Sequence, residues 1–302
     1  MAKLIQWFPG HMKKAMRDME EKRALCDGVI CVLDSRAPIA TYNPKLPEIF
    51  AGKPVLYVLN KSDLSDGKSE KFAAMIEAQG KPCVAISAVN GASRRVLEKR
   101  LQILTKEKRE RAESKGVTRR FRYTVVGIPN TGKSTVVNLL GGAKRAKTGD
   151  IAGVTRDVRW IKCADFDLLD TPGTMPPSCK TQYLARHLAY IGSLNDDILD
   201  IADVALELLK ELKANYPAAL QERYGINCGG NNAETDKTAD EEERTREAVE
   251  MLETACRRRG FILRGGEYDY ERGARAVIDD FRKGRLGKIC LENPLDFSGV
   301  KF

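Results

Sequence analysis

Long apolar runs are absent from this sequence. The longest of them, such as residues 29–33 and 55–59, are far too short to cross a bilayer. The opening residues MAKLIQWFPGHMKK lack the apolar stretch of a secretory signal, and the acidic Asp18, Glu20 and Glu21 are atypical of a transit peptide. We therefore expect a cytoplasmic protein without a membrane span.

Paired cysteines are absent as well. The eight cysteines are scattered along the chain without a CxxC spacing. A chain of 302 residues with 42% apolar content can bury a substantial core, so it needs no disulfide bonds for stability. We expect these cysteines to be reduced thiols.

Basic residues are in excess over acidic ones, which gives the chain a formal net charge of +9. Such an excess favours a polyanionic partner, although solvated surfaces commonly carry it too. The length predicts two domains. Because the sequence pattern becomes mostly helical near Lys180, we place the first domain over residues 1–179 and the second over residues 180–302.

The first domain has the pattern of an α/β fold. Short apolar, β-branched runs end at polar loops, and helix-type segments such as residues 69–79 and 134–140 lie between several of them. The runs are GVICVLD (28–34), PVLYVLN (54–60), CVAIS (83–87), YTVVG (123–127) and DLLD (167–170). Near-continuous apolar strands alternating with helices predict a mostly parallel sheet, and ligands bind beyond the carboxyl ends of such strands.

The segment GIPNTGKS, residues 127–134, follows the YTVV strand and opens a helix. It fits the phosphate-binding pattern G-x-x-x-x-G-K-[ST] in the strand-loop-helix context that the pattern requires. Its glycines let backbone N–H groups face phosphates, and the helix N-terminus adds partial positive charge. Lys133 would reach the β- and γ-phosphates, and Ser134 would ligate Mg²⁺. The residues predicted to bind nucleotide here are Asn130, Thr131, Gly132, Lys133, Ser134 and Thr135.

Two further loops predict the metal and γ-phosphate side of the site. DTPG, residues 170–173, follows the DLLD strand, so Asp170 is a candidate magnesium-side carboxylate and Gly173 a candidate γ-phosphate sensor. In GVTR, residues 153–156, Thr155 is a candidate switch threonine that closes over the metal. Taken alone, each would be an ordinary strand-end or loop residue, and the phosphate loop favours the nucleotide interpretation.

The segment NKSD predicts which base is bound. The Asp63 carboxylate can accept hydrogen bonds from guanine N1–H and the N2 amino group, which adenine cannot supply. Asn60 would lie near the O6/N7 edge, and Lys61 would lay its aliphatic stem along the base plane. SAVNG follows the next strand, so Ser87 and Ala88 can bring a backbone N–H to O6.

The base-reading loops precede the phosphate loops along the chain, the reverse of the usual order. Loops at one edge of a sheet form the same pocket in any chain order, provided that the old termini are joined and new ones opened. We therefore interpret the domain as circularly permuted, with the charged stretch 99–122 as the join. In this order the DTPG loop leads directly into the C-terminal domain.

The motifs and their order resemble the circularly permuted GTPases of the YlqF type, the ribosome biogenesis GTPase A family. They are WFPGHM (7–12), DSRAP (34–38), NKSD, GIPNTGKS, GVTR and DTPG, and the tail over residues 266–292 is similar too. The resemblance implies a GTPase domain followed by a helical domain. It also implies binding to the large ribosomal subunit during its maturation and hydrolysis that this particle stimulates.

The resemblance suggests candidates for the hydrolytic step. Many GTPases carry a water-orienting Gln after DTPG, and relatives usually carry a bulky apolar residue, whereas this chain has Thr174. His11 is the family's candidate for orienting the attacking water, with a helix-capping histidine as the alternative. Asn130 matches an Asn that supports K⁺ in some related GTPases, with a turn-forming Asn as the alternative. The other histidine, His187, lies in a helical pattern and is assigned a structural role.

The C-terminal domain has apolar residues at helical spacing over residues 198–213 and 241–259, with a loop over residues 226–237. Eight basic residues could neutralise RNA phosphates or form a solvated face: Arg257, Arg258, Arg259, Arg264, Arg282, Lys283, Arg285 and Lys288. No RNA-binding module with stacking aromatics is recognisable, which favours shape and phosphate contacts over base readout.

These features predict a GTP-hydrolysing switch that binds GTP and GDP, uses Mg²⁺ and acts on a large ribosomal subunit precursor and its rRNA; K⁺ is a candidate second ion. The predicted catalytic residues are His11, Lys133 and Thr155, and the predicted metal ligands are Ser134, Thr155 and Asp170. The alternative is an RNA-binding placeholder that holds GTP as a structural ligand with negligible turnover. A P-loop kinase is disfavoured, because NKSD and SAVNG would have no purpose in one.

Overall fold

The computed structural model describes residues 10–142, 159–176, 181–228 and 240–302, with side chains from residue 14 onward. These residues form two compact units. The first unit runs to residue 188 and also contains residues 192–194 and 290–302. The second unit contains residues 189–191 and 195–289. No helix in these ranges has the length and apolar character needed to cross a membrane.

The elements of the first unit alternate between strand and helix. They are α1 (Gly10–Lys22), β1 (Gly28–Asp34), α2 (Lys45–Ile49), β2 (Val55–Asn60), α3 (Lys68–Glu77), β3 (Cys83–Ala85), α4 (Ser93–Leu104), α5 (Lys106–Glu113), β4 (Phe121–Val126), α6 (Lys133–Gly141), β5 (Arg159–Lys162), β6 (Phe166–Asp170) and most of α7 (Gln182–Tyr190). The second unit contains the end of α7 and then α8 (Ile201–Asn215), α9 (Pro217–Tyr224), α10 (Glu241–Arg259) and α11 (Tyr270–Arg282).

The six strands form one sheet in the order β3-β2-β1-β4-β6-β5. All neighbours are parallel except β5, which runs antiparallel to β6 at one edge. The prediction of a mostly parallel α/β sheet is therefore confirmed. Strand β5 was not predicted, because only Ile161 of its four residues is buried and so the apolar signal is too short.

Strand β1 is buried at every position, as expected for a central parallel strand with both faces covered. On one face, Ile30 and Val125 pack with Leu97 of α4 and with Val136 and Leu140 of α6. Burial of these apolar side chains is the main force that holds the two helices to the sheet.

The parallel register aligns the carboxyl ends of the strands. Asp34 at the end of β1 pairs with Asn60 at the end of β2, and Val125 of β4 pairs with Asp170 at the end of β6. The loops that follow these strands therefore emerge at the same edge of the sheet, although they are far apart along the chain.

The predicted domain boundary after residue 179 does not coincide with the division into compact units. The first unit continues through most of α7, and the chain returns to it at residues 192–194 and again at residue 290. In this returning segment the ring centroid of Phe302 lies 4.6 Å from that of Tyr42. The side chain of Gln79 donates to the Val300 carbonyl at 2.8 Å and accepts from the Phe302 N–H at 3.1 Å.

The helices of the second unit begin and end where the sequence provides caps. Helix α10 coincides with its predicted range because the Asp240 carboxylate accepts the Glu243 N–H at 2.8 Å, and Gly260 ends it at φ +68°. Helix α8 begins three residues later than predicted, because Asp200 caps it by accepting the N–H groups of Ala202 and Asp203.

Candidate functional site

The loop between β4 and α6 has a backbone that requires glycine at two positions. Gly127 has φ +150°, and a Cβ there would lie 2.4 Å from the Val32 carbonyl oxygen. Gly132 has φ +89°, and a Cβ there would lie 2.2 Å from the Asn60 side-chain nitrogen. Gly132 also caps α6 without a side-chain hydrogen bond, so the first N–H groups of the helix are not occupied by a cap. The predicted phosphate-binding residues therefore occupy a loop with the backbone expected for that task.

Lys133 is buried at the start of α6, with its ammonium group donating to the Ile128 carbonyl at 2.6 Å. Burial lowers the pKa of Lys133 to about 8, and the attraction of Asp170 opposes this shift. Thr131 donates to the same carbonyl at 3.1 Å, while Ser134 follows in the first turn of the helix. The predicted phosphate-binding lysine is thus held inside the loop.

Asp170, the predicted magnesium-side carboxylate, is completely buried at the end of β6. Neither of its oxygens has a hydrogen-bond partner among the described residues, and the Arg159 Nε lies 3.8 Å away. Burial raises the pKa of this carboxyl group. A buried carboxylate with so few partners is costly unless a cation approaches it, and oxygen ligands are those that Mg²⁺ prefers. Asp170 and Ser134 therefore fit a magnesium site, whereas Thr155 lies outside the described residues.

The DTPG loop lies directly against the phosphate loop. A Cβ on Gly173 would lie 2.7 Å from the Pro129 nitrogen and 3.0 Å from the Lys133 Nζ. The next residue, Thr174, donates its N–H to the Gly127 carbonyl at 3.3 Å, and its buried hydroxyl has no hydrogen-bond partner in the described ranges. Only glycine can bring this backbone so close to the lysine, which is the arrangement expected of a γ-phosphate sensor.

Asn60 connects the base loops to the phosphate loop. Its side-chain nitrogen donates to the Thr131 carbonyl at 2.9 Å, and its side-chain oxygen accepts the Ala88 N–H at 3.0 Å. The Ser87 carbonyl is held in turn by the Ser93 hydroxyl at 2.8 Å. The structure therefore brings NKSD, SAVNG and GIPNTGKS together, although 71 residues separate Asn60 from Thr131.

Asp63 and Lys61 differ in their surroundings. Asp63 is exposed, so its carboxylate can meet a ligand. Lys61 has the left-handed φ of +61°, and its ammonium group donates to the Asn130 carbonyl at 2.6 Å. The Lys61 side chain therefore runs from the base loop to the phosphate loop.

Sequence reasoning missed the role of Asp34 in holding Lys61. Asp34 is completely buried and lies 2.9 Å from the Lys61 ammonium group. It also accepts hydrogen bonds from the Arg36 guanidinium at 3.0 and 2.8 Å. Burial alone would raise the pKa of Asp34, but Arg36 and Lys61 hold it well below its usual range. DSRAP, immediately after a strand, was the available signal.

Three other residues lie near these loops, and of these His187 alone was assigned a role from the sequence. Glu292 is buried and accepts the N–H groups of Ile39 and Ala40 at 2.6 and 2.9 Å. His187 places its Nδ1 3.2 Å from the same carboxylate, so its predicted structural role agrees with its buried position. Ser193 donates to the Pro129 carbonyl at 2.7 Å and thereby supports the phosphate loop.

The structure describes only in part the two residues proposed to orient the attacking water and to support K⁺. His11 lies in the first turn of α1, and its side chain is outside what the structure describes. Asn130 has φ +61°, as a turn-forming Asn would, and its side-chain nitrogen donates to the Gly192 carbonyl.

The eight basic residues predicted to contact RNA fall into two main groups. Four have acidic partners and are termed the paired cations: Arg259 and Arg285 with Asp280, Arg282 with Asp196, and Lys283 with Asp279. Three are exposed and have no ion pair within the described part of the chain, and these are termed the open cations: Arg258, Arg264 and Lys288. The eighth, Arg257, donates to the Tyr268 hydroxyl at 2.7 Å.

Comparison with known proteins gives consistent matches. The family model described as "50S ribosome-binding GTPase" matches residues 122–226. The "Ribosome biogenesis GTPase A" of Bacillus cereus is 37% identical over 297 residues, which cover 97% of this chain and 95% of that protein. The protein of the same name from Thermotoga maritima is 28% identical, with 98% of this chain and 97% of that protein covered.

Solved structures of YlqF from T. maritima have the same fold. The GNP-bound structure gives a TM-score of 0.62 at 25% identity and covers 93% of this chain and 98% of that chain. A GDP-bound structure gives the same TM-score and identity and covers all of that chain.

Proposed function

The chain belongs to the ribosome biogenesis GTPase A family and is a GTPase with a role in ribosome biogenesis, and from that membership we propose that it is a Mg²⁺-dependent guanine-nucleotide switch acting on an assembling large ribosomal subunit. One observation carries the nucleotide assignment. Asn60 hydrogen-bonds to both the phosphate loop and the second base loop, which joins a base-reading motif to a phosphate-binding motif in one site.

The names of the matched proteins support the guanine and subunit assignments. The solved structures of T. maritima YlqF are bound to GDP and to GNP, and the matching family model is described as 50S ribosome-binding. The proposed partners of this chain are therefore GTP, GDP and a large-subunit precursor with its rRNA, and the proposed location is the cytoplasm.

The order of the loops supports a circularly permuted GTPase unit. The base loop at residues 60–63 precedes the phosphate loop at residues 127–134, yet their strands are parallel and their carboxyl ends share one edge. The same pocket can form in the permuted order, because the loops are brought together by the sheet and not by their order along the chain.

The proposed reaction is phosphoryl transfer from GTP to water. Lys133 would bind the β- and γ-phosphate oxygens, and the N–H groups at the start of α6 would stabilise charge that develops in the transition state. Ser134, Asp170 and Thr155 would hold Mg²⁺, which supplies charge neutralisation at the phosphates when it is bound. His11 would orient the attacking water, and Asn130 is the candidate for K⁺.

Nucleotide contact is assigned to residues on the four loops that the site brings together and on the adjoining helix start. The proposed GTP-binding residues are Asn60, Lys61, Asp63, Ser87, Ala88, Asn130, Thr131, Gly132, Lys133, Ser134, Thr135 and Gly173.

A second candidate function is a ribosome-binding placeholder that holds GTP with negligible turnover. The observation in its favour is Thr174, which stands where many GTPases carry the water-orienting Gln. Its side chain is buried and cannot act as a base, so the chain lacks the usual water-orienting group at this position.

Turnover with and without large-subunit particles separates the two functions. The switch predicts GTP hydrolysis that the particle stimulates, and a His11→Ala variant with near-normal GTP affinity but about 10²-fold slower stimulated hydrolysis. The placeholder predicts negligible hydrolysis in both conditions. Full stimulated turnover in His11→Ala would assign the water-orienting role to another group. Repeating the assay with KCl replaced by NaCl tests the K⁺ assignment.

A further inference from the structure

A continuous series of buried and partly buried contacts links the C-terminal segment to Lys61 of the base loop. At its outer end the Glu292 carboxylate accepts two backbone N–H groups, from Ile39 and Ala40. The neighbouring Leu291 donates its N–H to the Arg36 carbonyl at 2.8 Å. The two Glu292 contacts join residues separated by 253 and 252 positions, and together with the Leu291 contact they fix the loop that follows β1.

The fixed loop positions an arginine on Asp34. Arg36 is only 2% exposed, and it reaches both oxygens of the Asp34 carboxylate with two guanidinium nitrogens. The Arg36 backbone N–H bonds the same carboxylate at 3.0 Å. A planar guanidinium in a two-point contact orients its partner in a way that a single contact cannot.

The oriented carboxylate reaches the base loop. One Asp34 oxygen lies 2.9 Å from the Lys61 Nζ, which also donates to the Asn130 carbonyl. A lysine has a long, flexible side chain, and its stem keeps a fixed course only when its far end is held. Asp34 and the phosphate loop hold that end from two directions.

We propose that Asp34 is a positioning residue for guanine-nucleotide binding, which acts through Lys61, and that Glu292 fixes the loop that carries Asp34 and Arg36. The proposal rests on the guanine site of the proposed function. It adds that the returning segment, residues 290–302, supports the nucleotide site through Leu291 and Glu292. Asp34 and Glu292 touch no ligand themselves and act by keeping the Lys61 stem where the base plane packs on it.

Release of a fluorescent GDP analogue from the full chain tests the proposal. Asp34→Asn removes a charge-assisted contact to Lys61, so release should be about tenfold faster. The matched control is Asp27→Asn. Asp27 precedes the opposite end of β1, is also buried, and is also paired with an arginine, Arg119, at 2.8 Å. This control should lower stability without changing GDP release.

A double-mutant cycle separates positioning from general stability. In a Lys61→Met background, adding Asp34→Asn should change release by less than about twofold, because the residue on which it acts is gone. Glu292→Gln should accelerate release by about threefold in the wild-type background and have no effect in the Lys61→Met background. A merely structural role would give the same acceleration in both backgrounds and would overturn the proposal.

Three further cases complete the test. If Asp34→Asn does not fold, Arg36→Lys replaces it, because this change keeps both charges and removes only the two-point contact; its acceleration must also disappear without Lys61. If the unsubstituted chain does not bind GDP, the guanine site and this proposal both fail. If the chain binds GDP but the effects of Asp34→Asn and Lys61→Met on release are additive, this proposal is overturned and the guanine site is not.

Discussion

Lys133 of the first unit and the paired cations of the second unit are held in different ways. In the first unit, Lys133 donates to a neutral main-chain carbonyl, and the opposite charge that attracts it most strongly is the buried Asp170. In the second unit, the paired cations meet carboxylates directly, and Arg285 lies 3.0 Å from Asp280 and 3.1 Å from Asp279.

The difference concerns how much charge each cation can offer a ligand. An ammonium group on a carbonyl keeps its full charge for a phosphate, whereas a guanidinium on a carboxylate has much of its charge compensated already. The formal excess of +9 therefore does not indicate where a polyanion binds. In the second unit, the open cations are the better candidates for RNA contact, and the paired cations serve the fold.

The largest effect should come from placing a methyl group in the phosphate loop. Gly132→Ala puts a Cβ 2.2 Å from the Asn60 side chain, so we expect GTP affinity to fall by about 10²-fold or more. The matched control is Gly67→Ala. Gly67 also caps a helix, at φ +88°, but has no atom within 4 Å of its Cβ position.

Both alanine variants should lose about 1–2 kcal/mol of stability from the left-handed backbone. Only Gly132→Ala should lose nucleotide binding, as measured by titration calorimetry with GTP. Equal loss of binding in both variants would show that strain alone, and not the contact with Asn60, governs the loop.

A smaller effect is expected from changing the base reader. Asp63→Asn removes the acceptor for guanine N1–H and the N2 amino group, which should cost about 1.5–3 kcal/mol, or at least about tenfold in GTP affinity. The same change should improve binding of xanthosine triphosphate, whose ring presents an acceptor at that position. Competition between the two nucleotides measures the preference, and an unchanged preference would remove Asp63 from the base site.

The smallest effects should separate the open cations from the paired cations. Replacing Arg258, Arg264 and Lys288 by Gln should reduce the salt dependence of large-subunit binding, by a slope of about 1 for each lost phosphate contact. The melting temperature should stay the same. Arg285→Gln should instead lower the melting temperature, because Asp280 is buried and loses a partner.

Co-sedimentation with large-subunit precursors across a salt series measures the first effect, and thermal unfolding measures the second. If the slope changes with Arg285→Gln and not with the open cations, the assignment of the two groups is reversed.

The parts of the molecule that the sequence predicted are those governed by local geometry. The phosphate loop was predictable because its backbone requires glycine at Gly127 and Gly132, which leaves a recognisable spacing. The helix caps at Asp200 and Asp240 act within three residues and could have been predicted from the same kind of local pattern. The residues proposed to bind magnesium and the base, Thr155 apart, could be named from the sequence because they lie in loops at strand or helix ends, and their roles stay predictions.

The parts that were not predictable depend on contacts between distant residues. Nothing near Glu292 indicates that its carboxylate meets backbone groups 252 and 253 positions earlier. The pairing of Arg223 with Asp280 spans 57 positions, and no local sequence pattern indicates it either. By contrast, Lys283 and Asp279 are four residues apart on or next to one helix, and that pair could have been predicted from helical spacing.

The return of residues 290–302 to the first unit also has a consequence for how the chain is made. Translation produces the strands and loops of the nucleotide site long before it produces Glu292 and Phe302, which contact residues 39, 40 and 79. Contacts between such distant residues form late and slowly. The nascent GTPase unit therefore stays incomplete until residues 290–302 have left the ribosome. A protein that helps to build ribosomes would then complete the support of its nucleotide site only once this returning segment has emerged from one.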